Sequence, residues 1–309
     1  MNIRRFEGIE MKKAMHVDAN LALTLILLLM ISLTWMNAFY CKMQVVSGQK
    51  IEGLYPVGNI IMIFINNISY DSLKIFYEVF WWTHILLIFL FANILPYSKH
   101  FHVFMSVPNV FLSRLDPLGK LSNMDQVTRE VRLILNPDLI SQSTSEDQSK
   151  WVRFGIKDCE DISWKSYFDS LSCTQCGRCT SVCPANLTGK RLTPRKIIMD
   201  VRARMNEKGP GLVRDGSGYD DHKSLIRDYI SEEELWACTT CQACAQECPI
   251  NINHPTLIVD MRRYLVMEEG SAPGGLKISF SNIENNGAPW QFSPEDRMLW
   301  AKDLKYHSI

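Results

Sequence analysis

Two matching runs of four cysteines carry the clearest chemical signal in this sequence. Each run has the pattern C-x2-C-x2-C-x3-C-P, at residues 173–184 and again at residues 238–249. Thiolates spaced three residues apart can wrap one face of an iron–sulfur cube, and the proline after the fourth cysteine prevents the backbone from continuing as a helix. Because the complete pattern occurs twice, we predict two [4Fe–4S] clusters.

The same pattern predicts which cysteines bind which cluster. In two-cluster ferredoxins the fourth cysteine of one run binds the cluster of the other run. The predicted ligands of the first cluster are Cys173, Cys176, Cys179 and Cys248. The predicted ligands of the second cluster are Cys238, Cys241, Cys244 and Cys183. Two structural zinc sites are an alternative, but zinc needs only two C-x2-C pairs per metal and leaves both prolines unexplained. A disulfide framework is a further alternative.

The amino-acid composition indicates the redox state of the compartment and the classes of partner. Eight of the ten cysteines lie in the two runs, so this part of the chain should face a reducing compartment. Cys41 and Cys159 have no cysteine or histidine at ligand spacing, and we interpret both as incidental. The 33 basic residues equal the 33 acidic ones, so net charge gives no indication of nucleic-acid binding. The length of 309 residues favours about two domains.

Two uncharged stretches predict membrane helices that anchor the cysteine-rich part. Residues 21–40 and 79–98 are each twenty residues long and lack Asp, Glu, Lys and Arg, which is the length that a helix needs to cross a bilayer. No small-residue cleavage site follows the first stretch, so it does not resemble a signal peptide. The apolar run at 60–65 is too short to span and is expected to lie at the interface or to re-enter.

The flanking basic residues predict the orientation. Cytoplasmic loops carry an excess of Lys and Arg, and both flanks of the two stretches are basic. The residues concerned are Arg4, Arg5, Lys12, Lys13, Lys99, Arg114 and Lys120. We therefore predict that both ends, and the cysteine runs with them, face the cytoplasm at the inner membrane of a bacterium.

Helix signals dominate the remainder of the chain. Residues 124–135 predict an amphipathic helix, and 136–150 predict a linker rich in Ser, Asp and Gln. Helices are predicted from Pro194 to about Asn206, from a capping box at Ser231, over 256–269, and after Ser293. We therefore expect a mainly α fold, with two N-terminal transmembrane helices followed by an α-helical ferredoxin domain. The expected divisions are a cytoplasmic segment (1–20), a membrane domain (21–98), an amphipathic helix and linker (99–150), the cluster domain (151–280) and a C-terminal docking arm (281–309).

The motifs also carry a family resemblance over nearly the whole chain. The cluster domain resembles the α-helical ferredoxin module found in the C subunit of heterodisulfide reductase and in the iron–sulfur subunit of succinate dehydrogenase. More closely, the chain resembles membrane-bound heterodisulfide-reductase-related iron–sulfur oxidoreductases, some of which are linked to electron-transfer flavoprotein and fatty-acid degradation. The motifs that carry this likeness are WWTH (81–84), PYSKHFH (96–102), CGRC (176–179) and PANLTGK (184–190). The resemblance implies electron transfer between a soluble donor and the menaquinone pool.

The sequence departs from this family in two ways. Further helices of a nitrate-reductase-gamma-like haem b domain commonly precede the two spans, and cysteine-rich CCG domains often follow. Neither is present here, and the resemblance implies that partner subunits supply both. The implied partners are a CCG-domain heterodisulfide-reductase-like subunit, a haem-bearing membrane subunit, electron-transfer flavoprotein, quinone and membrane lipid.

Two histidines are candidates for a second kind of site. His84 lies near the middle of the second span, and a histidine inside a membrane span marks a functional site by default. On one continuous helix, His100 would lie about 24 Å further along. Haem b ligation by His84 or His100 with ligands from another chain, a quinone site at His84, and an interfacial polar cluster of His100 with His102 all remain open.

The leading hypothesis is a one-electron relay through the two clusters, with the catalytic site on a partner. Nearby cations could tune the clusters or dock an acidic donor, although solvated helix faces are the alternative; these are Arg178, Lys190, Arg191, Arg195 and Lys196. A second hypothesis is an anchoring and assembly subunit whose clusters are structural. A third is a self-contained quinone reductase.

Overall fold

The computed structural model describes residues 13–51, 53–65, 67–136, 153–216 and 218–302. Most of the predicted linker at 136–150 lies outside these residues, as do the predicted basic flank at Arg4, Arg5 and Lys12 and the last residues of the predicted docking arm. Within the described ranges the chain is mainly helical, and its only β pairing is an isolated bridge between Ile226 and Ile230. The predicted fold class is confirmed.

Thirteen α-helices are found in the described ranges. The first five are α1 (Lys13–Val46), α2 (Pro56–Met62), α3 (Tyr70–Ile94), α4 (His102–Phe111) and α5 (Asp125–Leu135). The next four are α6 (Trp164–Ser172), α7 (Arg178–Ser181), α8 (Pro184–Leu187) and α9 (Pro194–Asp215). The last four are α10 (Glu232–Trp236), α11 (Ala243–Gln246), α12 (His254–Met267) and α13 (Gly274–Asn286). A 3-10 helix follows at Pro294–Ala301.

The chain divides into two compact units. The first comprises the residues up to Phe111 together with Leu171–Cys176. In it, α1 packs along α3 and against α2 around the buried side chains of Ala38, Phe39, Ile65 and Leu73. Residues Val17–Val46 and Tyr70–Tyr97 are long and apolar enough to cross a membrane. These two segments contain nearly all of the two predicted spans.

The expectation of one continuous helix from His84 to His100 is wrong. Helix α3 ends at Ile94, and two 3-10 turns follow, at Leu95–Tyr97 and at Lys99–Phe101. Pro96 lacks a backbone N–H, and Ser98 adopts an extended backbone that separates the two turns. The distance along an ideal helix therefore does not apply to this pair of histidines.

The second unit comprises Leu112–Ser170 and the chain from Gly177 onwards. Its core is formed by buried apolar residues of α9, α10, α12 and the segment 225–230. A buried ion cluster adjoins this core, in which Arg204 of α9 pairs with Asp158 and Asp221 at 2.6 Å. Lys208 of the same helix pairs with Asp158 at 2.9 Å and with Glu160 at 2.5 Å.

Several predicted helix ends are confirmed, and one is wrong. The capping box at Ser231 is present, with Glu234 N donating to Ser231 Oγ and Ser231 N donating to the Glu234 carboxylate. Helix α9 does not stop near Asn206 but continues through Gly209 and Pro210 to Asp215. The buried ion pairs of Lys208 hold this last part of α9 to the unit and outweigh the local breaker signal.

Candidate iron–sulfur sites

The first half of each cysteine run adopts the same backbone turn. The N–H of Gln175 donates to Cys173 Sγ at 3.4 Å, and the N–H of Thr240 donates to Cys238 Sγ at 3.4 Å. Both donors have a left-handed backbone, with φ of 54° at Gln175 and 55° at Thr240. The two runs therefore direct a main-chain N–H towards the first sulfur of the run, which is where a bound thiolate gains from hydrogen bonding.

The second half of each run is also repeated. Gly177 and Gln242 follow the second cysteines in left-handed conformations, with φ of 79° and 64°, and each precedes a short helix. These helices, α7 and α11, carry the third cysteines, Cys179 and Cys244, and contact one another. A glycine is the residue that adopts this backbone at least cost, so Gln242 holds a strained conformation.

The fourth cysteines end the two short helices in the same way. Cys183 N donates to Thr180 O at 3.2 Å, and Cys248 N donates to Ala245 O at 3.3 Å. Helix α7 ends at Ser181, and Pro184 begins the new helix α8. Helix α11 ends at Gln246, ahead of Pro249. Each proline stands just past a helix end, as the pattern predicts.

The four cysteines predicted for the second cluster lie together. Cys183, Cys238, Cys241 and Cys244 line one small cavity. Its walls include Leu192, Pro194, Pro255 and Ile258, from the start of α9 and from α12. Cys183 and Cys244 are buried, whereas Cys241 is exposed. These walls were not predicted, although Pro194 was recognised as the start of α9.

The cavity makes its thiols hard to ionise in the absence of a metal. The pKa of Cys244 is raised to about 12, chiefly by burial and also by the charges of the neighbouring thiolates of Cys238, Cys183 and Cys241. Burial also raises the pKa of Cys238, which the Thr240 N–H and the charge of Arg262 partly offset. Thiolates in an apolar cavity need a compensating positive charge, which the iron ions of a cluster would supply. The four side chains therefore fit a [4Fe–4S] cube.

The four cysteines predicted for the first cluster are divided between the two units. Cys173 and Cys176 belong to the first unit, and Cys179 and Cys248 belong to the second. In the first unit the Ser172 hydroxyl donates to Met105 O at 3.0 Å, which ties the start of this run to α4. The grouping of these four cysteines around one cluster stays a prediction.

The two candidate histidines have different surroundings. His84 is partly buried on α3, and its Nδ1 lies 2.9 Å from Ser32 Oγ of α1. The Ser32 hydroxyl also lies 2.9 Å from Leu29 O, so this serine links the imidazole to the backbone of α1. His100 lies on the second 3-10 turn and stacks on His102, with ring centroids 6.1 Å apart.

Most of the basic side chains near the first cysteine run are exposed to solvent or form ion pairs with carboxylates. Lys196 pairs with Asp200 at 2.8 Å and with Glu234 at 2.9 Å. Arg191 is exposed and lies 3.6 Å from Glu233, while Arg178 and Lys190 are also exposed. Arg195 is buried at the start of α9. The exposed members of this group match the solvated face that was the alternative interpretation.

Comparison with known proteins supports iron–sulfur clusters. Residues 172–252 match the family described as 4Fe-4S dicluster domain. The chain is 30% identical over 79% of its length to the "Probable iron-sulfur-binding oxidoreductase FadF" of Bacillus subtilis, covering 36% of that protein. It is 31% identical over 79% of its length to the "EtfAB:quinone oxidoreductase" of Syntrophomonas wolfei, covering 34% of it. A "Probable membrane-anchored ferredoxin" of Chromohalobacter salexigens is 36% identical over 48% of this chain, which covers 24% of that protein.

Shorter matches extend the family. The C and D subunits of CoB–CoM heterodisulfide reductases from Methanosarcina and Methanopyrus are 29–35% identical over 32–46% of this chain. No solved structure matches the chain. The chain spans about a third of the length of the FadF and EtfAB:quinone oxidoreductase relatives. In its repeated cysteine loops and in its sequence, the chain is related to the heterodisulfide-reductase-related iron–sulfur oxidoreductases.

Proposed function

We propose that this protein is a membrane-anchored electron-transfer subunit that relays single electrons through two [4Fe–4S] clusters. The relay connects a soluble donor or a CCG-type catalytic partner with the menaquinone pool. The observation that carries the proposal is the repeated cysteine loop, of which the second copy completes a four-thiol cavity with Cys183. Each cluster would accept and release one electron, so no side chain need act as an acid or a base.

In this proposal the ligands are exchanged between the two runs. Cys238, Cys241 and Cys244 hold one cluster together with Cys183, and their common cavity supports this set. Cys173, Cys176 and Cys179 hold the other cluster together with Cys248. The contact between α7 and α11 supports close placement of the two clusters, because these helices carry the third cysteine of each run. Close placement suits electron transfer.

The two long apolar helices support attachment to the cytoplasmic membrane, with the clusters on the cytoplasmic side. The "EtfAB:quinone oxidoreductase" relative supports electron-transfer flavoprotein as a donor and quinone as an acceptor. The relatives that are named as heterodisulfide reductase subunits support assembly with other subunits. We propose that these are a CCG-domain protein and a membrane protein that bears haem. Affinity purification from membranes, followed by mass spectrometry, should recover these partners.

His84 is the residue that we assign to a haem or quinone contact. Because its Nδ1 faces Ser32, Nε2 is the ring nitrogen that a haem iron or a quinol hydroxyl would use. The absorption spectrum of the purified complex distinguishes a haem contact from a quinone contact, because haem gives Soret and α bands. Substitution of His84 by Ala should remove those bands or, if quinone is bound, should reduce quinone-dependent turnover.

Substitution of Cys183 tests the exchanged ligand set. Cys183→Ala should remove the cluster of the second run and leave that of the first run, and Cys248→Ala should do the opposite. Iron content and electron paramagnetic resonance (EPR) of the dithionite-reduced chain measure which cluster remains. Cys159→Ala is the matched control, because Cys159 is buried yet lies outside both runs.

The same measurement addresses the competing assignment. If the chain is an anchoring subunit with structural clusters, then neither dithionite nor a physiological donor will reduce them. Loss of the first-run cluster from Cys183→Ala, with the second-run cluster retained, would contradict the exchanged assignment. Zinc in place of iron would contradict the proposal as a whole.

A further inference from the structure

Arg262 is a cation beside the second cysteine run that the ligand pattern does not reveal. It lies on α12 and is half-buried. Its guanidinium donates to Leu235 O from Nε at 2.9 Å and from Nη2 at 2.5 Å. Nη2 also donates to Cys238 O at 2.5 Å. These bonds hold the charged group against the residue that begins the run.

The charge of Arg262 is not neutralised by an acidic partner. Among the described residues, no carboxylate lies within 4.0 Å of its guanidinium. Its other contact is the ring of Trp236, whose centroid lies 5.0 Å away and which covers the guanidinium from one side. By contrast, Lys196 and Arg204 are paired with carboxylates. Arg262 is therefore a net positive charge in a partly dry environment, where charge interactions are weakly screened.

The position of Arg262 brings its charge close to the second run. Its Nη2 is fixed 2.5 Å from the carbonyl oxygen of Cys238, the first predicted ligand of that run. A positive charge at this position favours additional negative charge on the group that the run binds.

We propose that Arg262 raises the reduction potential of the cluster held by the second run. Reduction adds one electron and one negative charge, which the guanidinium stabilises without any proton transfer. This inference rests on the ligand assignment under the proposed function.

A set of substitutions at one position separates charge from hydrogen bonding. Arg262→Met and Arg262→Gln remove the charge, whereas Arg262→Lys keeps the charge and loses the forked hydrogen bonds. Arg263→Gln is the matched control on the same helix. Arg263 bonds to Asp260 at 2.8 Å and to Ser122 O at 2.6 Å. Within the part of the chain that the structure describes, none of its hydrogen bonds or ion pairs involves a cysteine.

The measurement is a potentiometric titration of the purified full-length chain with dithionite, followed by EPR. The neutral variants should shift the equilibrium of one cluster about tenfold towards the oxidised form, which is about 59 mV for one electron. The other cluster should not shift, and Arg262→Lys and Arg263→Gln should match the wild type.

Three results would overturn the inference. They are an unchanged potential in the neutral variants, a shift of equal size in Arg262→Lys, and a shift of equal size in Arg263→Gln. Loss of the cluster from both neutral variants, with retention in Arg262→Lys, would assign Arg262 to assembly instead. Absence of any [4Fe–4S] signal in the wild type would instead contradict the proposed function.

Discussion

Removal of Arg204 should destabilise the cluster domain strongly, because it would leave a buried carboxylate without its main partner. The Arg204 side chain is 0% exposed and the Asp158 side chain is 5% exposed. Arg204 makes two hydrogen bonds to Asp158, at 2.8 and 2.6 Å, two to Asp221, and one to Lys223 O. In Arg204→Met, Asp158 keeps Lys208 at 2.9 Å as its cationic partner, together with the Leu225 N–H at 3.1 Å and backbone N–H groups of its own turn.

Breaking a buried ion pair by removing one partner costs about 3–5 kcal/mol. That is a large part of the roughly 5–15 kcal/mol that stabilises a typical domain. Burial opposes the charged form of Asp158, but hydrogen bonds from Arg204 and Lys208 hold its pKa below the usual value. Guanidinium unfolding at pH 7, followed by far-UV circular dichroism, measures the change in the free energy of unfolding.

Two further variants test the reasoning. Arg214→Met on the same helix should leave stability unchanged, because Arg214 is exposed and pairs only with its exposed neighbour Asp215. Asp158→Asn combined with Arg204→Met should be more stable than Arg204→Met alone, since the unpaired charge is gone. A loss below about 1 kcal/mol in Arg204→Met, or no recovery in the double variant, would refute the account of this cluster.

Two more predictions concern pH and backbone conformation. Burial lowers the pKa of the His254 imidazole to about 4 in the folded chain. In the unfolded chain the imidazole binds a proton near pH 6.5, whereas in the folded chain it stays neutral at that pH. The contribution of this group is complete above about pH 7.5 and falls by about 1 kcal/mol between pH 6.5 and pH 5.5. Denaturation of His254→Phe at these two pH values should lack that part of the slope, and an unchanged slope would contradict the assignment. Gly155→Ala should cost on the order of 3 kcal/mol, because φ is +75° and a Cβ would clash with the backbone of Asp260 and Tyr264. Gly209 lies inside α9 with open space around it, so Gly209→Ala should not destabilise the fold. Thermal melts of the two variants measure the difference, and similar melting temperatures would refute the packing argument.

Features set by local chemistry could be predicted from the sequence. The capping box at Ser231 needs only residues three apart, and it forms as predicted. The proline after each fourth cysteine predicts that a helix cannot continue through it, and in both runs the helix that carries the third cysteine ends before that proline. The uncharged stretches predict long apolar helices, which α1 and α3 contain. Each of these signals lies within a few residues, or along one helix.

Features set by distant contacts could not be predicted. The end of α9 depends on the pairing of Lys208 with Asp158, which is 50 residues away. Helix α13 begins at Gly274 and Gly275, two weak helix formers, so local propensity gave no indication of it. Arg262 meets the second run only because α12 folds back against α10, 24 residues from Cys238.

The central claim is that the two runs hold two reducible [4Fe–4S] clusters. The most direct test is quantitative EPR of the anaerobically purified chain, with iron, zinc and sulfide analysis of the same sample. We expect about eight iron atoms per chain, no zinc, and after reduction a spin concentration about twice the chain concentration. Four or fewer iron atoms, bound zinc, or two clusters that neither dithionite nor a physiological donor can reduce would contradict the claim.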